Sequence, residues 1–501
     1  MAKIKKYIFI VLLIFAYFFP LFISLSAIME GSIPFWYDSA RDMLQAVDNL
    51  KKITLIGPTG GIPGIFYGPH WIWFQSFPLI FSRDPKLVAL IVLILPYFIG
   101  FVFLLYKLSK YLGKMNSIFL WLLFMYGYSN YTTYLWQPHL APVFLLTAVF
   151  ILINIDFAKS DRKNRLKILM FGIILGFLVN FHISFGTGVI IGSLVFLILE
   201  SLKKNKKEIL RNIAVSLTGI LIVCVPNILF EFRHDFLQSK ALWKTLEQGI
   251  LYNKAVVDQV GLSQGDILHQ FFLYVPSTLL NLSPTIIFLI YFLFIIPVIY
   301  NFSFKKDKLN EKEGRILRYL LTISGSILMV YLSARNPVWT YHFVGVETIY
   351  LLLLGLIIKK IQMPDKIIFA LFLIVAVLYI MKYQKESQVP ARSISSLSTK
   401  QFIVEQIFDD SLGTPFVYKA YSSAIYTFDY DYLFEWQGRE KYGYVPEKEV
   451  GNTNIVYLIV PNETEVVQQD FANHKTPNKL YKTEKSWKIE DGTVVIKRVK
   501  I

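Results

Sequence analysis

Apolar residues in this chain come in long blocks, and short basic segments separate them. Stretches such as 7–28 (YIFIVLLIFAYFFPLFISLSAI), 87–106 and 367–380 read as bilayer-crossing helices, which need about 20 predominantly apolar residues. The pattern predicts further spans near 116–134, 139–157, 168–181, 184–201, 211–230, 270–300, 316–334 and 343–358. The first block is too long for a cleaved leader and has no clean small-x-small site after it, so it reads as a retained span. From 385 the pattern changes. A polar, linker-like stretch (KESQVPARSISSLSTK, 385–400) leads to an amphipathic segment at 399–408. Short β-type runs follow at 415–422, 454–460 and 493–500. A tail of about 115 residues is enough for a small α/β domain.

Charge orients the spans. Lys3, Lys5 and Lys6; Lys107, Lys110 and Lys114; Arg162, Lys163, Arg165 and Lys167; Lys203, Lys204, Lys206 and Lys207; Lys305, Lys306, Lys308 and Lys312; and Lys359 and Lys360 all stand at span ends, as the positive-inside rule expects of cytoplasmic loops. This placement turns the net charge of +16 into a membrane signal and argues against a nucleic-acid patch. With 54% hydrophobic and 17% charged residues and a mean hydropathy of +0.48, the chain is far from a soluble composition. The N-terminus is then cytoplasmic, and residues 29–66 and 231–268 form outer loops. With Lys107, Lys110 and Lys114 cytoplasmic, segment 67–82 (YGPHWIWFQSFPLIFS) reads as a re-entrant or interfacial piece, with Trp71, Trp73 and Phe74 at the interface, whereas a full crossing there would put that cluster outside or call for another span. The fold class expected is a multi-span α-helical membrane protein of about 11–13 helices, transmembrane over 1–384, with an extracytoplasmic α/β domain at 385–501. The single cysteine, Cys224, allows no intrachain disulfide and reads as a small buried apolar residue.

This topology gathers polar residues on the outer face: Asp38, Arg41, Asp42, His70, Gln137, His139, Asn180, His182, Glu231, Arg233, His234, Asp235, Arg335, Tyr341 and His342. In the first loop, apolar positions at Ala40, Met43, Leu44, Val47 and Leu50 have helical spacing. Ser39-Ala40-Arg41-Asp42 fits a capping box, which would give Asp42 a structural task and leave the Asp38 carboxylate unassigned. Gly57-Pro58-Thr59-Gly60-Gly61-Ile62-Pro63-Gly64 demands tight turns, and without a following Lys-Ser/Thr it is a shaped loop and no phosphate cradle. Glu231-Phe232-Arg233-His234 reads either as an interfacial charge cluster or as an anion site, in which Arg233 offers a planar fork and His234 a second donor. Arg335, before Asn336-Pro337, belongs to a turn and also suits an anion.

Tyr37-Asp38-Ser39-Ala40-Arg41-Asp42, the Gly-Pro loop, Tyr67-Gly68-Pro69, Trp136-Gln137-Pro138-His139, Phe181-His182 and Phe230-Glu231-Phe232-Arg233-His234, in that order over about residues 1–380, resemble the GT-C superfamily of membrane glycosyltransferases. The nearest group is that of protein mannosyltransferases and aminoarabinose transferases. The resemblance implies a polyprenyl-phosphate-linked sugar as donor, an acceptor lipid, glycan or protein, inversion, and an acid of the first outer loop as general base. That acid is Asp38 or Asp42, because Ser39 stands where many members carry a second acid. Arg41, Tyr67, His70, His139, His182, Glu231, Arg233, His234 and Arg335 would bind the donor phosphate or the acceptor. No metal-ligand spacing appears, so no cofactor is expected, and a divalent metal is left open. The rival classes are a transporter or flippase, which should show mid-span charges and repeated halves, a polysaccharide polymerase or ligase, and a receptor acting through its tail.

Overall fold

The structure, a computed structural model, describes residues 2–61, 63–157, 161–201, 206–248, 261–290, 310–334, 338–387, 396–421, 426–447 and 453–501. Helices α1 (Ala2–Glu30), α2 (Tyr37–Asn49), α3 (His70–Leu79), α4 (Pro85–Leu112, with π-helical stretches), α5 (Lys114–Tyr128), α6 (Ala141–Ile153), α7 (Arg162–Phe181), α8 (Ile183–Ser201), α9 (Lys206–Arg233) and α10 (Leu237–Gln248) are followed by a helical segment at 264–280. Then come α11 (Pro284–Ile290), α12 (Glu311–Ser333), α13 (Val346–Lys360) and α14 (Asp365–Ser387). Among the described residues eight helices are long and apolar enough to cross a membrane, and the shorter apolar helices α5 and α6 lie between them. The expected span at 270–300 falls partly outside the described residues. Helix α3 has ten residues, about 15 Å of rise and half a bilayer crossing, as a re-entrant segment requires.

Backbone groups freed inside the bundle find partners. Pro20 stands inside α1 and has no N–H to give the Ala16 carbonyl one turn earlier. Trp121 Nε1 of α5 donates to that carbonyl at 2.8 Å. Two glycine pairs at four-residue spacing set close helix crossings. A Cβ on Gly172 would run into the Ser216 carbonyl of α9, and one on Gly176 would lie 2.8 Å from Val223. On α8, Cβ atoms at Gly188 and Gly192 would each lie 2.7 Å from a Cα of α12, those of Ile327 and Ile323. Small residues at these positions let helices without a hydrophobic driving force reach van der Waals contact.

The basic span ends meet at one end of the bundle. Lys359 pairs with Glu313 at 2.5 Å and donates to the Lys110 carbonyl at 3.3 Å. Arg315 Nη1 donates to the Ile155 carbonyl at 2.6 Å, and Arg318 pairs with Glu200 at 2.6 Å.

The tail forms helices α15 (Leu397–Ser411), α16 (Phe428–Gln437) and α17 (Glu465–Lys475) with strands β1 (Val417–Ala420), β2 (Ile455–Val460), β3 (Tyr481–Lys488) and β4 (Val494–Lys500). The sheet order is β1-β2-β4-β3, with β1 parallel to β2 and the other pairs antiparallel. The three expected runs are β1, β2 and β4. Strand β3 (YKTEKSWK) is an addition, because an edge strand exposed along most of its length carries no apolar alternation. The amphipathic stretch at 399–408 lies within α15. This domain docks on the first loop and on the turn between α3 and α4. Leu397 and Ser398 N–H donate to the Ile33 and Gly31 carbonyls at 3.0 and 2.9 Å, Tyr432 Oη donates to the Arg83 carbonyl at 2.5 Å, and Lys400, paired with Asp429, donates to the Phe35 carbonyl at 2.8 Å.

Candidate active site

The chain enters the first loop with Phe35 buried against Tyr432 and with Trp36 in extended conformation, its indole N–H donating to Tyr134 Oη at 2.6 Å. These anchors fix where α2 begins. The Ala40 N–H already donates to the Trp36 carbonyl at 3.0 Å, so the helix starts at Tyr37. The expected capping box is therefore overturned. Ser39 is inside the helix and its hydroxyl donates to the Leu135 carbonyl at 3.0 Å.

Starting three residues early puts Asp38, Arg41 and Asp42 on one helix face, at three- and four-residue spacing. Arg41 lies between the two acids. Its Nη1 pairs with Asp38 at 2.9 Å, and its Nε and Nη2 both donate to Asp42 Oδ1, at 2.9 and 2.7 Å. Trp71 Nε1 of α3 donates to Asp42 Oδ2 at 2.9 Å. The expectation of Trp71 at a membrane interface is corrected: it is fully buried and reads the carboxylate. The two acids differ in access. The Asp38 side chain is 40% exposed and that of Asp42 is 0% exposed. Burial pushes the Asp42 carboxyl up to about 7, with the Arg41 guanidinium opposing the rise.

The Gly-Pro segment is a small hairpin, held by Gly57 N–H to the Tyr67 carbonyl and Tyr67 N–H to the Pro58 carbonyl, both at 2.9 Å. It brings Tyr67 into the field of Asp38, Arg41, Asp42 and Tyr341, and burial lifts the Tyr67 phenol above its ordinary value. Gly68 has to be glycine, because a Cβ there would occupy the Asn180 side chain. His70 follows, packed edge-on against Trp73 and Phe177, and burial lowers it to about 4, so it is a neutral imidazole at pH 7. His139 and His182 are buried and work within the fold. His139 stacks on Tyr131 at 4.4 Å with its Nδ1 at the Tyr134 carbonyl, and His182 Nε2 donates to the Tyr341 carbonyl at 3.3 Å. Tyr341 in turn lies 5.4 Å from the Trp136 ring.

The hairpin also reaches the second outer segment. Phe66 N–H donates to Gln238 Oε1 at 2.8 Å, and the Phe66 ring meets Phe230 at 5.8 Å. The acidic loop and the 230–239 corner therefore share one end of the bundle. Glu231 caps α10, accepting from Gln238 N–H at 2.9 Å and from Ser239 N–H and Oγ at 2.8 and 2.6 Å. His234 stacks on Phe230 at 4.0 Å. Arg233 is exposed and meets no carboxylate among the described residues. Arg335 lies outside the described residues. Of the expected set, Asp38, Arg41, Asp42 and Tyr67 come together. Trp71, Trp36 and Tyr134 join them, and sequence reasoning did not assign these to the site. The described residues hold no group of three or more His, Cys, Asp or Glu placed to share a metal ion.

No protein-family model matches the chain, and no curated protein matches it by sequence. Its course through space does match solved structures. ArnT from Cupriavidus metallidurans bound to undecaprenyl phosphate aligns with a TM-score of 0.60 at 11% identity, over 99% of this chain and 98% of that one. The apo state of the same protein aligns with a TM-score of 0.61 at 11% identity, over 99% and 98%. The chain has the GT-C fold. A looser likeness, TM-score 0.44 at 11% identity over 96% of this chain and 74% of the other, is to the oligosaccharyltransferase AglB of Archaeoglobus fulgidus with an inhibitory peptide and a dolichol phosphate. The GT-C match runs nearly end to end, so it takes in the C-terminal domain as well as the bundle.

Proposed function

We propose that this protein is a glycosyltransferase that moves a sugar from a polyprenyl-phosphate carrier to an acceptor at the outer face of the membrane, with inversion and with Asp38 as general base. One observation carries the reading: on the first loop of a GT-C fold, an open acid and a closed acid share one arginine. The carrier class follows the ArnT structure, which holds undecaprenyl phosphate. The outer placement follows the basic span ends, which lie away from this loop and mark the cytoplasmic side.

In the reaction the acceptor hydroxyl oxygen attacks the anomeric carbon and Asp38 takes its proton. The bond from that carbon to the phosphate oxygen breaks on the opposite side, and its electron pair leaves on the phosphate. The added negative charge calls for cations and hydrogen-bond donors, and Arg41, Arg233, His234 and Arg335 are the candidates. Asp42 is closed to an acceptor, so it serves as a positioning residue that holds Arg41. The aromatic walls, Tyr37, Tyr67, Trp36 and Tyr134, keep water low and strengthen these contacts.

The test is sugar transfer from a panel of undecaprenyl-phosphate hexoses and pentoses, using purified wild type and Asp38→Asn. Turnover falls about 100-fold or more, the usual weight of a general base, while expression and melting temperature hold. Unchanged turnover in a well-folded Asp38→Asn protein removes Asp38 from the mechanism.

A further inference from the structure

At the end of the bundle away from the candidate active site, α7 and α9 run side by side toward their basic ends. They are pinned together where Gly172 meets Ser216 and where Gly219 meets Leu169 and Ile173. Toward their basic ends they leave an open groove of about 720 Å³, lined by Arg162, Lys163, Arg165, Leu166, Leu169, Val215 and Thr218. Its composition is split by depth. Three cations stand at the mouth, within one turn of α7, and Leu166, Leu169 and Val215 form an apolar wall that runs into the membrane-spanning part of the pair.

The three cations are exposed and meet no carboxylate among the described residues. The nearest acid in sequence, Asp161, is already committed to capping α7, where its side chain accepts from the Asn164 N–H at 2.8 Å. The helix start therefore supplies little to the groove, and the side chains supply its charge. Leu166 is 57% exposed beside them. A soluble anion would satisfy the cations and leave the apolar wall bare, and a neutral lipid would cover the wall and leave three charges unmatched.

We propose that this groove is a binding site for an anionic phospholipid, with the phosphate held by Arg162, Lys163 and Arg165 and an acyl chain laid along Leu166, Leu169 and Val215. The site is separate from the sugar-transfer reading and stands or falls without it. The lipid would lie in the groove between α7 and α9, two helices whose far ends carry Phe181 and the Glu231–His234 corner.

The experiment uses the full-length protein, delipidated in a neutral detergent, with phosphatidylglycerol, phosphatidylcholine, undecaprenyl phosphate and inorganic phosphate offered as separate probes. Native mass spectrometry and melting temperature are the readouts. Phosphatidylglycerol is retained and raises the melting temperature, while phosphatidylcholine and inorganic phosphate do neither. The variant R162Q/K163Q/R165Q loses about 100-fold in phosphatidylglycerol affinity, roughly five-fold per cation removed. A control with the same charge change on the C-terminal domain, K482Q/K488Q/K500Q, keeps the wild-type affinity. On wild type alone, retention weakens as salt rises from roughly 0.05 to 0.5 M, since exposed charges are screened, which keeps the test alive if the triple variant fails to fold. Equal retention of phosphatidylcholine, an effect reproduced by inorganic phosphate alone, displacement by undecaprenyl phosphate in preference to phosphatidylglycerol, or an equal loss in the control variant would each overturn the proposal.

Discussion

Asp42 shows how one residue takes its task from its neighbours. In sequence, Ser39 three residues before it makes a capping box the economical reading. What decides otherwise is tertiary: Phe35 and Trp36 are pinned by Tyr432, Lys400 and Tyr134, and the helix therefore starts at Tyr37. The carboxyl turns inward to Trp71, 29 positions on, a partner that local pattern has no means of announcing. The consequence is a pH dependence with a definite sign. An ordinary aspartate ionises near 3.8 and Asp42 at about 7. Between those values the folded chain holds a proton that the unfolded chain has released. Stability from this group is complete below the lower value and is lost as pH rises through about 7. Melting temperatures of wild type and Asp42→Asn, followed from acid to mildly alkaline pH, should therefore converge or cross, with wild type falling faster. A gap constant across pH would show that Asp42 does not titrate there. Ionised Asp42 also competes with Asp38 for Arg41, which frees the proposed base. Turnover should rise through about pH 7 in wild type, and Asp42→Asn should lack that limb.

At the scale of elements the spans were largely legible, because hydrophobic length is a direct requirement of the bilayer. The expected segments at 168–181, 184–201, 211–230, 316–334, 343–358 and 367–383 lie almost wholly within α7, α8, α9, α12, α13 and α14. How the helices meet was less legible, since it depends on which face of a uniformly apolar helix finds a partner. The four-residue glycine spacings on α7 and α8 were the available signal, and Gly172→Ala should test it. The added methyl must push against a backbone carbonyl of α9, so the loss should be about 1–3 kcal/mol, the range for overpacking. A milder exchange tests Pro20. Trp121→Phe keeps an aromatic ring, though a smaller one, and removes the donor to the Ala16 carbonyl, leaving that acceptor unsatisfied in an apolar setting at a cost of about 1–3 kcal/mol. Pro20→Ala restores the helical N–H, so in that background the Trp121→Phe penalty should shrink. Equal penalties in both backgrounds would mean the indole contributes only by packing.

Across the whole molecule, the C-terminal domain and the first loop form one unit, although nearly the full bundle separates them in sequence. Lys400 is the link that tests this. Its ammonium is almost buried, pairs with Asp429 inside the domain and donates to the Phe35 carbonyl, three residues before Asp38. Lys400→Ala leaves a partly buried carboxylate alone and should cost about 3–5 kcal/mol, the range for breaking such a pair. That loss alone does not separate stability from positioning. The double variant Lys400→Met/Asp429→Leu does, because replacing both partners by apolar groups of similar volume generally recovers stability. It cannot restore the bond to the Phe35 carbonyl. If the domain serves to hold the start of α2, the double variant should recover stability to within about 1–3 kcal/mol of wild type, the cost of the unpaired Phe35 carbonyl, and still turn over about tenfold more slowly, since small misplacements of a reacting group carry large rate penalties. Recovery of both quantities together would reduce the domain to a stabilising cover and leave α2 to position Asp38 by itself.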